Sequence, residues 1–224
     1  MPVWRDERGS ALVLVLLCAV LFLALGGALV LVASTESTIS ATFRESAVAL
    51  AGAEAAIVRV AADLAVAPDV TAVLAGAATS TFIDGPAAGP RRVPDGTVLD
   101  LAALTNIERC GDVVCTAAQL DAITADRPWG ANNPRWQRYA SGWLRDLAPQ
   151  AKTPHVYVIV WVGDDPLETD ADPVTDDPDP EALGHDAVLI RAVAYAAYSV
   201  RRRLEVVARR DAGIVRLTSW REIH

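Results

Sequence analysis

Between Ala11 and Ala33 the chain runs 23 positions without a charged residue, and all but Cys18, Gly26 and Gly27 are Ala, Val, Leu or Phe. About 20 such residues suffice to cross the hydrocarbon core of a bilayer. The stretch therefore restricts the chain to folds in which lipid, or other apolar helices, cover it. Nothing downstream stops a helix, because Ser34 to Leu64 contains no Pro and Gly52 is its single Gly. Polarity changes there while the helical period persists. Phe43, Leu50, Ile57 and Leu64 recur every seven residues, with Ile39, Ala53 and Val60 on the adjoining stripe. Glu36, Arg44, Glu45, Arg59 and Asp63 lie largely off it, as expected of a helix that packs along one face. The spacing predicts one long helix, with residues 10–33 as a membrane-competent half and residues 34–67 as an amphipathic half, ended by Pro68-Asp69.

The remaining residues, roughly 150, are enough for one globular core. The formal net charge of −8 argues against a nucleic-acid partner, which requires a basic face to neutralise phosphates. Arg201, Arg202 and Arg203 are expected at a solvated hairpin turn. From His155 the period shortens. His155 to Val162, Val188 to Tyr198, Arg203 to Arg209 and Ile214 to Trp220 read as β-strands, the first buried on both faces. Short connections favour an antiparallel meander, so the fold class expected is α+β: a long N-terminal helix packed on the sheet of residues 155–224. Residues 68–154 read as a loop and helical insert. Ala75 to Gly96 is loop-like, and Val98 to Leu101 is a short strand. Thr116 to Thr124 has helical spacing. Asn133 and Pro134 read as the start of a further helix carrying Trp136, Tyr139, Ala140, Trp143, Leu144 and Leu147 on one side.

Chemistry-bearing residues are few. Cys110 and Cys115 bracket four residues and lack the partners of a zinc site; an oxidising compartment would let them close a small disulfide loop, and a reduced cytosolic pair is the alternative. The segment 164–186 holds ten acidic residues and no Lys or Arg. Two readings stand for it: a solvated acidic loop, which its Pro-broken composition favours, and a calcium site using Asp164, Asp165, Asp170 and Asp172. The spacing fails the EF-hand pattern, since Pro173 occupies the position that needs Gly when counting starts at Glu168. His155, His185 and His224 have no metal-ligand spacing, and no nucleophile elbow or phosphate loop occurs, so catalysis is not expected. Paired carboxylates occur only in the acidic loop, which the sequence suggests is too exposed to raise a pKa by burial.

Three readings compete for residues 1–33: a cleaved secretory signal, whose apolar region would be shorter, a plain single-pass anchor, and a signal retained after processing. Glu7-Arg8-Gly9-Ser10 stands immediately before the apolar run, and a short polar leader ending in Gly resembles a type IV prepilin signal. The segments Ala33 to Ile39, Phe43 to Glu45 and Ala51 to Ile57 resemble the N-terminal domain of PilX-type minor pilins of type IV pili. Glu36 and Glu54 match that family's two acidic positions. The resemblance covers residues 5–64 and returns faintly around Ser219 to Glu222.

What it implies is cleavage of a leader, residues 1–9, by a prepilin peptidase between Gly9 and Ser10. The retained helix would pack through Leu14, Leu17 and Phe22, with Glu36 and Glu54, against membrane and neighbouring subunits. It further implies an inner-membrane protein with a periplasmic domain that later enters a pilus fibre. Its partners would be minor and major pilins and a tip adhesin, with a role in assembly, adhesion or motility. Two departures bear on position. Ser10 stands where major pilins carry Phe, and Leu14 where they carry Glu. A carboxylate within the bilayer is costly unless paired, so in pilins it captures a neighbour's terminal amine. With Leu14 the chain offers its own amine but cannot capture another, as expected near a filament tip. A minor pseudopilin of type II secretion and a membrane-anchored periplasmic scaffold are the alternatives.

Overall fold

The computed structural model describes residues 8–86, 88–126, 133–147, 155–168 and 170–223. The chain divides into two units, Met1–Arg44 and Glu45–His224. Helix α1 spans Arg8–Ala65 without interruption. In the first unit every residue from Ser10 to Ser40 is exposed. Where the sequence turns polar, the hydroxyls stay within the helix. Ser34 and Thr35 both donate to the Leu31 carbonyl (2.9 Å each), Thr38 to Ser34 (3.0 Å) and Thr42 to Thr38 (2.9 Å). This back-bonding satisfies each hydroxyl on the preceding turn, so four polar side chains enter the helix without breaking it.

In the second unit α1 is followed by α2 (Val70–Leu74), a small hairpin β1 (Pro90–Arg92) and β2 (Val98–Asp100), α3 (Leu101–Cys110) and α4 (Ala117–Asp126). Then come β3 (Gln137–Trp143), α5 (Leu144–Leu147), β4 (Tyr157–Asp164), β5 (Ala187–Tyr195), β6 (Arg201–Asp211) and β7 (Ile214–Glu222). Strands β3 to β7 form one antiparallel sheet in sequence order. The expected α+β class and the meander from β4 to β7 are present. Helix α1 stops three residues before Pro68.

The central strands β4 and β5 are buried on both faces, and β4 shows how. Val156, Val158, Val160 and Val162 join Ala49, Ala53, Ala56, Ile57, Val60 and Leu64 of α1 in one core. Tyr157, Ile159 and Trp161 join Val93, Leu101 and Trp136 in a second core on the opposite face, following the two-residue alternation of a strand. Gly52 marks the close approach of α1 to the sheet: a Cβ there would lie 2.9 Å from Val156 Cγ1. The stripe on α1 begins later than its heptad pattern suggests. Ile39 and Phe43 are exposed, at 62% and 77%, and the buried series runs from Ala49 to Leu64.

Helix α3 covers the second face. Asp100 Oδ1 caps its N-terminus by accepting from the amides of Ala102 and Ala103 (2.9 Å each), which satisfies two otherwise unpaired donors. Leu101, Thr105 and Glu108 face inward; Thr105 Oγ1 accepts from Trp161 Nε1 at 3.1 Å. Cys110 and Cys115 form a disulfide, Cα to Cα 6.0 Å, closing the turn after the helix.

Two expectations are corrected. The residues from Asn133 onward do not start a helix: Gln137–Trp143 is a strand, with a register shift between Arg138 and Ala140 and the short α5 after it. The register shift lets the consecutive residues Tyr139 and Ala140 both join the α1-side core, while Trp136 and Trp143 pack on the opposite face, a bulge that gives a strand helix-like spacing; Ser141-Gly142 is poor helix sequence. The backbone of β3 is paired on its outer side by the run Ser80 to Asp84, within the expected loop: Ser80 N donates to Tyr139 O (3.0 Å), Ser141 N to Phe82 O (3.1 Å) and Asp84 N to Ser141 O (3.0 Å). The arginine triplet is not a turn. Arg201, Arg202 and Arg203 open β6, and Arg202 pairs with Glu222 (2.6 Å) and Arg203 with Glu108 (2.8 Å).

Candidate functional site

Two features stand apart from ordinary packing: the exposed apolar half of α1 and the acidic connection between β4 and β5. Helix α1 is long and apolar enough to cross a membrane, with a mean hydropathy of 3.0 in its most apolar window and none of that window buried. Leu14, Leu17 and Phe22 are exposed at 64%, 65% and 71%, and Glu36 and Glu54 are exposed as well. Monomeric soluble proteins rarely expose contiguous apolar patches beyond a few hundred Å²; a helix apolar on every side needs lipid or protein around it. Gly9 and Ser10 lie within the first turns of α1, and the rest of the expected leader, apart from Arg8, lies outside the described residues.

The acidic connection is not the solvated loop its composition suggests. Asp164, Asp165, Glu168 and Asp177 are all buried. Aspartates shape it by accepting from amides two residues on: Asp165 from Leu167 (3.2 Å), Asp170 from Asp172 (2.9 Å), Asp172 from Val174 (3.2 Å), Asp177 from Asp179 (2.9 Å) and Asp179 from Glu181 (3.0 Å). These local bonds mimic backbone turns. The connection is also tied to its surroundings. Asp176 N donates to Thr71 Oγ1 (3.2 Å), and Arg210 bridges Asp186 (2.6 Å) and the Ala67 carbonyl (2.6 Å).

At the end of β4, Asp164, Glu168 and Asp170 each bring one carboxylate oxygen within 4.8 Å of the others. Asp164 Oδ1 accepts from Asp165 N (2.9 Å) and Glu168 Oε2 from Asp177 N (3.2 Å). Asp164 Oδ2 is buried with no hydrogen-bond partner among the described residues. Gly184, at φ +96°, lies against Glu168, where a Cβ would overlap the glutamate side chain; this backbone conformation and that space both require glycine. Of the four aspartates expected to bind metal, Asp164 and Asp170 belong to the cluster. Asp165 and Asp172 are engaged in turns outside it, and Glu168 is the member the sequence reading missed. A second group, Asp176, His185 and Asp186, is also close, but Asp186 is held by Arg210 and His185 Nδ1 donates to the Asp177 carbonyl at 2.6 Å.

Burial, reinforced by the charges of Glu168 and Asp170, pushes the Asp164 carboxyl up to about 9. Burial also raises Glu168, aided by the Asp176 and Asp170 charges. The expectation that these acids are too exposed to shift is thus overturned. The sign of the consequence follows from proton linkage. An unfolded Asp releases its proton near pH 4, whereas native Asp164 keeps it to about 9. Within that window the native state binds more protons, so stability is fully present below the unfolded pKa and is lost as pH rises through the native one. In chelator, urea unfolding of the wild-type chain should show stability falling from about pH 4 toward pH 9, with a shallower fall in Asp164→Asn. Equal slopes in the two proteins would contradict the assignment.

Comparison with known proteins finds no family model, no curated protein and no solved structure that matches the chain.

Proposed function

We propose that the chain is a PilX-type minor pilin, a subunit inserted in the inner membrane by the first half of α1, processed between Gly9 and Ser10, and then drawn into a type IV pilus. It works by packing, not catalysis. The observation that carries this reading is one uninterrupted helix, Arg8–Ala65, apolar and exposed in its first half and supplying a core stripe to a β-sheet unit in its last third. A plain membrane anchor explains the apolar half but gives no reason for the helix to continue as an element of the domain core. A pilin needs both: the same helix holds the domain and packs against neighbouring helices once it leaves lipid. The exposed apolar side chains from Leu12 to Val32 supply that second surface, and the hydroxyls of Ser34, Thr35, Thr38 and Thr42 are met by the helix's own carbonyls as it extends. Leu14, where a major pilin carries Glu, favours a place near the tip, beside other minor pilins and an adhesin.

Co-expression of the full-length chain with a prepilin peptidase tests the reading. Intact-mass analysis should show loss of residues 1–9, and Gly9→Val should abolish it. Absence of processing in the wild-type chain would overturn the pilin assignment and favour a membrane-anchored scaffold.

A further inference from the structure

We propose that Asp164, Glu168 and Asp170 bind a calcium ion where β4 enters the acidic connection. The inference concerns the sheet unit alone and stands or falls independently of the role proposed for α1.

Three observations carry it. The first is spacing. Calcium holds oxygen ligands at about 2.3–2.6 Å, so two oxygens on one ion lie at most about 5 Å apart. The three carboxylate oxygens, all within 4.8 Å of one another, meet that limit. The second is the Asp164 side chain. Its residue is fully buried, at 0% exposure, and while Oδ1 accepts from the Asp165 amide, Oδ2 has no donor among the described residues. Buried acceptors are almost always satisfied, and leaving one unpaired costs its desolvation. Two further carboxylates reach within 4.8 Å of that side chain, and a cation is the group that satisfies all three at once. The segment 164–186 supplies neither Lys nor Arg. The third is fixation. The Asp177 amide holds Glu168 Oε2 (3.2 Å), the Asp172 amide holds Asp170 Oδ1 (2.9 Å) and the Thr175 hydroxyl reaches Asp170 Oδ2 (3.3 Å). Gly184 backs the Glu168 side chain. The carboxylates are therefore positioned before any ion arrives.

The donor set chooses the ion. Three carboxylates with no sulfur or imidazole suit a hard cation. Calcium accepts irregular, six- to eight-fold oxygen coordination, whereas magnesium demands near-ideal octahedral geometry at about 2.1 Å and keeps most of its water. The second acidic group lacks this character, since Arg210 already neutralises Asp186 and His185 Nδ1 is spent on a carbonyl. A bound calcium would pin the end of β4 to residues 168–177, and through the Asp176 amide and Thr71 hydroxyl to α2. A proton on Asp164 is the competing occupant, and the experiment distinguishes the two.

Full-length protein in detergent, stripped with chelator, is followed by thermal unfolding with calcium, with magnesium or with neither. An ion bound to the native state alone raises Tm, and at 100-fold excess over Kd the rise for a unit of this size is about 5–10 °C. Calcium at about 1 mM gives that excess for a Kd of about 10 μM, and a single calcium per chain is expected by titration calorimetry. Asp164→Asn and Asp170→Asn should each abolish it, while Glu181→Gln, in the same segment but outside the cluster, should keep it. Metal-free Asp164 is protonated below about pH 9 and Asn keeps that neutral shape, so the chelated Asp164→Asn protein should melt close to the chelated wild type near neutral pH, which separates lost binding from misfolding. No rise with calcium would overturn the proposal and leave a protonated Asp164 as the occupant; an equal rise with magnesium, or a rise that persists in Asp164→Asn, would overturn it as well.

Discussion

Ile57→Ala is expected to lower the unfolding free energy by about 2–5 kcal/mol, the range for truncating a fully buried aliphatic side chain. Phe43→Ala, two heptads upstream on the same stripe, should change it by less than about 0.5 kcal/mol. The sequence treats the two positions alike. The structure does not: Ile57 is 0% exposed and Phe43 77%. Ile57 lies in the core that α1 shares with Val158, Val160 and Ile190, where the cost is lost transfer energy plus a cavity that rigid strands cannot collapse. Urea unfolding in detergent, followed by tryptophan fluorescence, measures both; Trp136, Trp143 and Trp161 all lie in the sheet unit. Comparable losses at the two positions would mean that the helix packs along its whole heptad stripe.

The second large effect lies on the opposite face. Arg191 pairs with Glu205 (2.6 Å) and Glu108 (2.6 Å), and its guanidinium sits 3.8 Å from the centre of the Trp136 ring. Arg203 reaches the other oxygen of Glu108 at 2.8 Å, and Arg221 pairs with Glu205 from β7. The β-ladder sets this up: Trp161, Arg191, Glu205 and Arg221 sit directly opposite one another across β4 to β7. Glu108 and Glu205 are buried, at 8% and 3% exposure. Arg191→Met removes the one charge that touches both, leaving Glu108 to Arg203 and Glu205 to the exposed Arg221, and breaking a buried pair from one side costs up to about 3–5 kcal/mol. Because desolvating ions is itself costly, the triple change Glu108→Leu, Arg191→Met and Glu205→Leu should recover most of that loss. Failure of the triple variant to recover would show that the network is worth more than an apolar layer of similar volume.

The parts of the fold legible in the sequence are those whose period had one meaning. The run His155 to Val162 is β-branched and aromatic without a break, and only a strand buried on both faces suits it. Helix α3 was hidden because two of its three inward positions are polar. Thr105 and Glu108 occupy places where the helical pattern calls for aliphatic residues, and their partners, Trp161 and Arg191, come from distant strands. The β3 segment reads as a helix because the register shift at Tyr139 turns two consecutive residues to one face and so imitates helical spacing, and the pairing with Ser80 to Asp84 that decides between the two is long-range. For the acidic connection, composition counted the charges correctly but said nothing of where each oxygen is aimed. Glu168 was the residue overlooked as a ligand. It stands four residues after Asp164, and the Asp177 amide and Gly184 hold it back against the cluster.

The two dissimilar cores carry a consequence for insertions and deletions. Removing one residue from the middle of β4 would invert everything beyond it, turning Trp161 toward the alanines of α1 and a valine toward Trp136 and Arg191. Neither destination has the volume or the chemistry for its new occupant. Length variation among natural versions of this chain should therefore collect in the connections between strands, while β4 itself keeps a constant residue count.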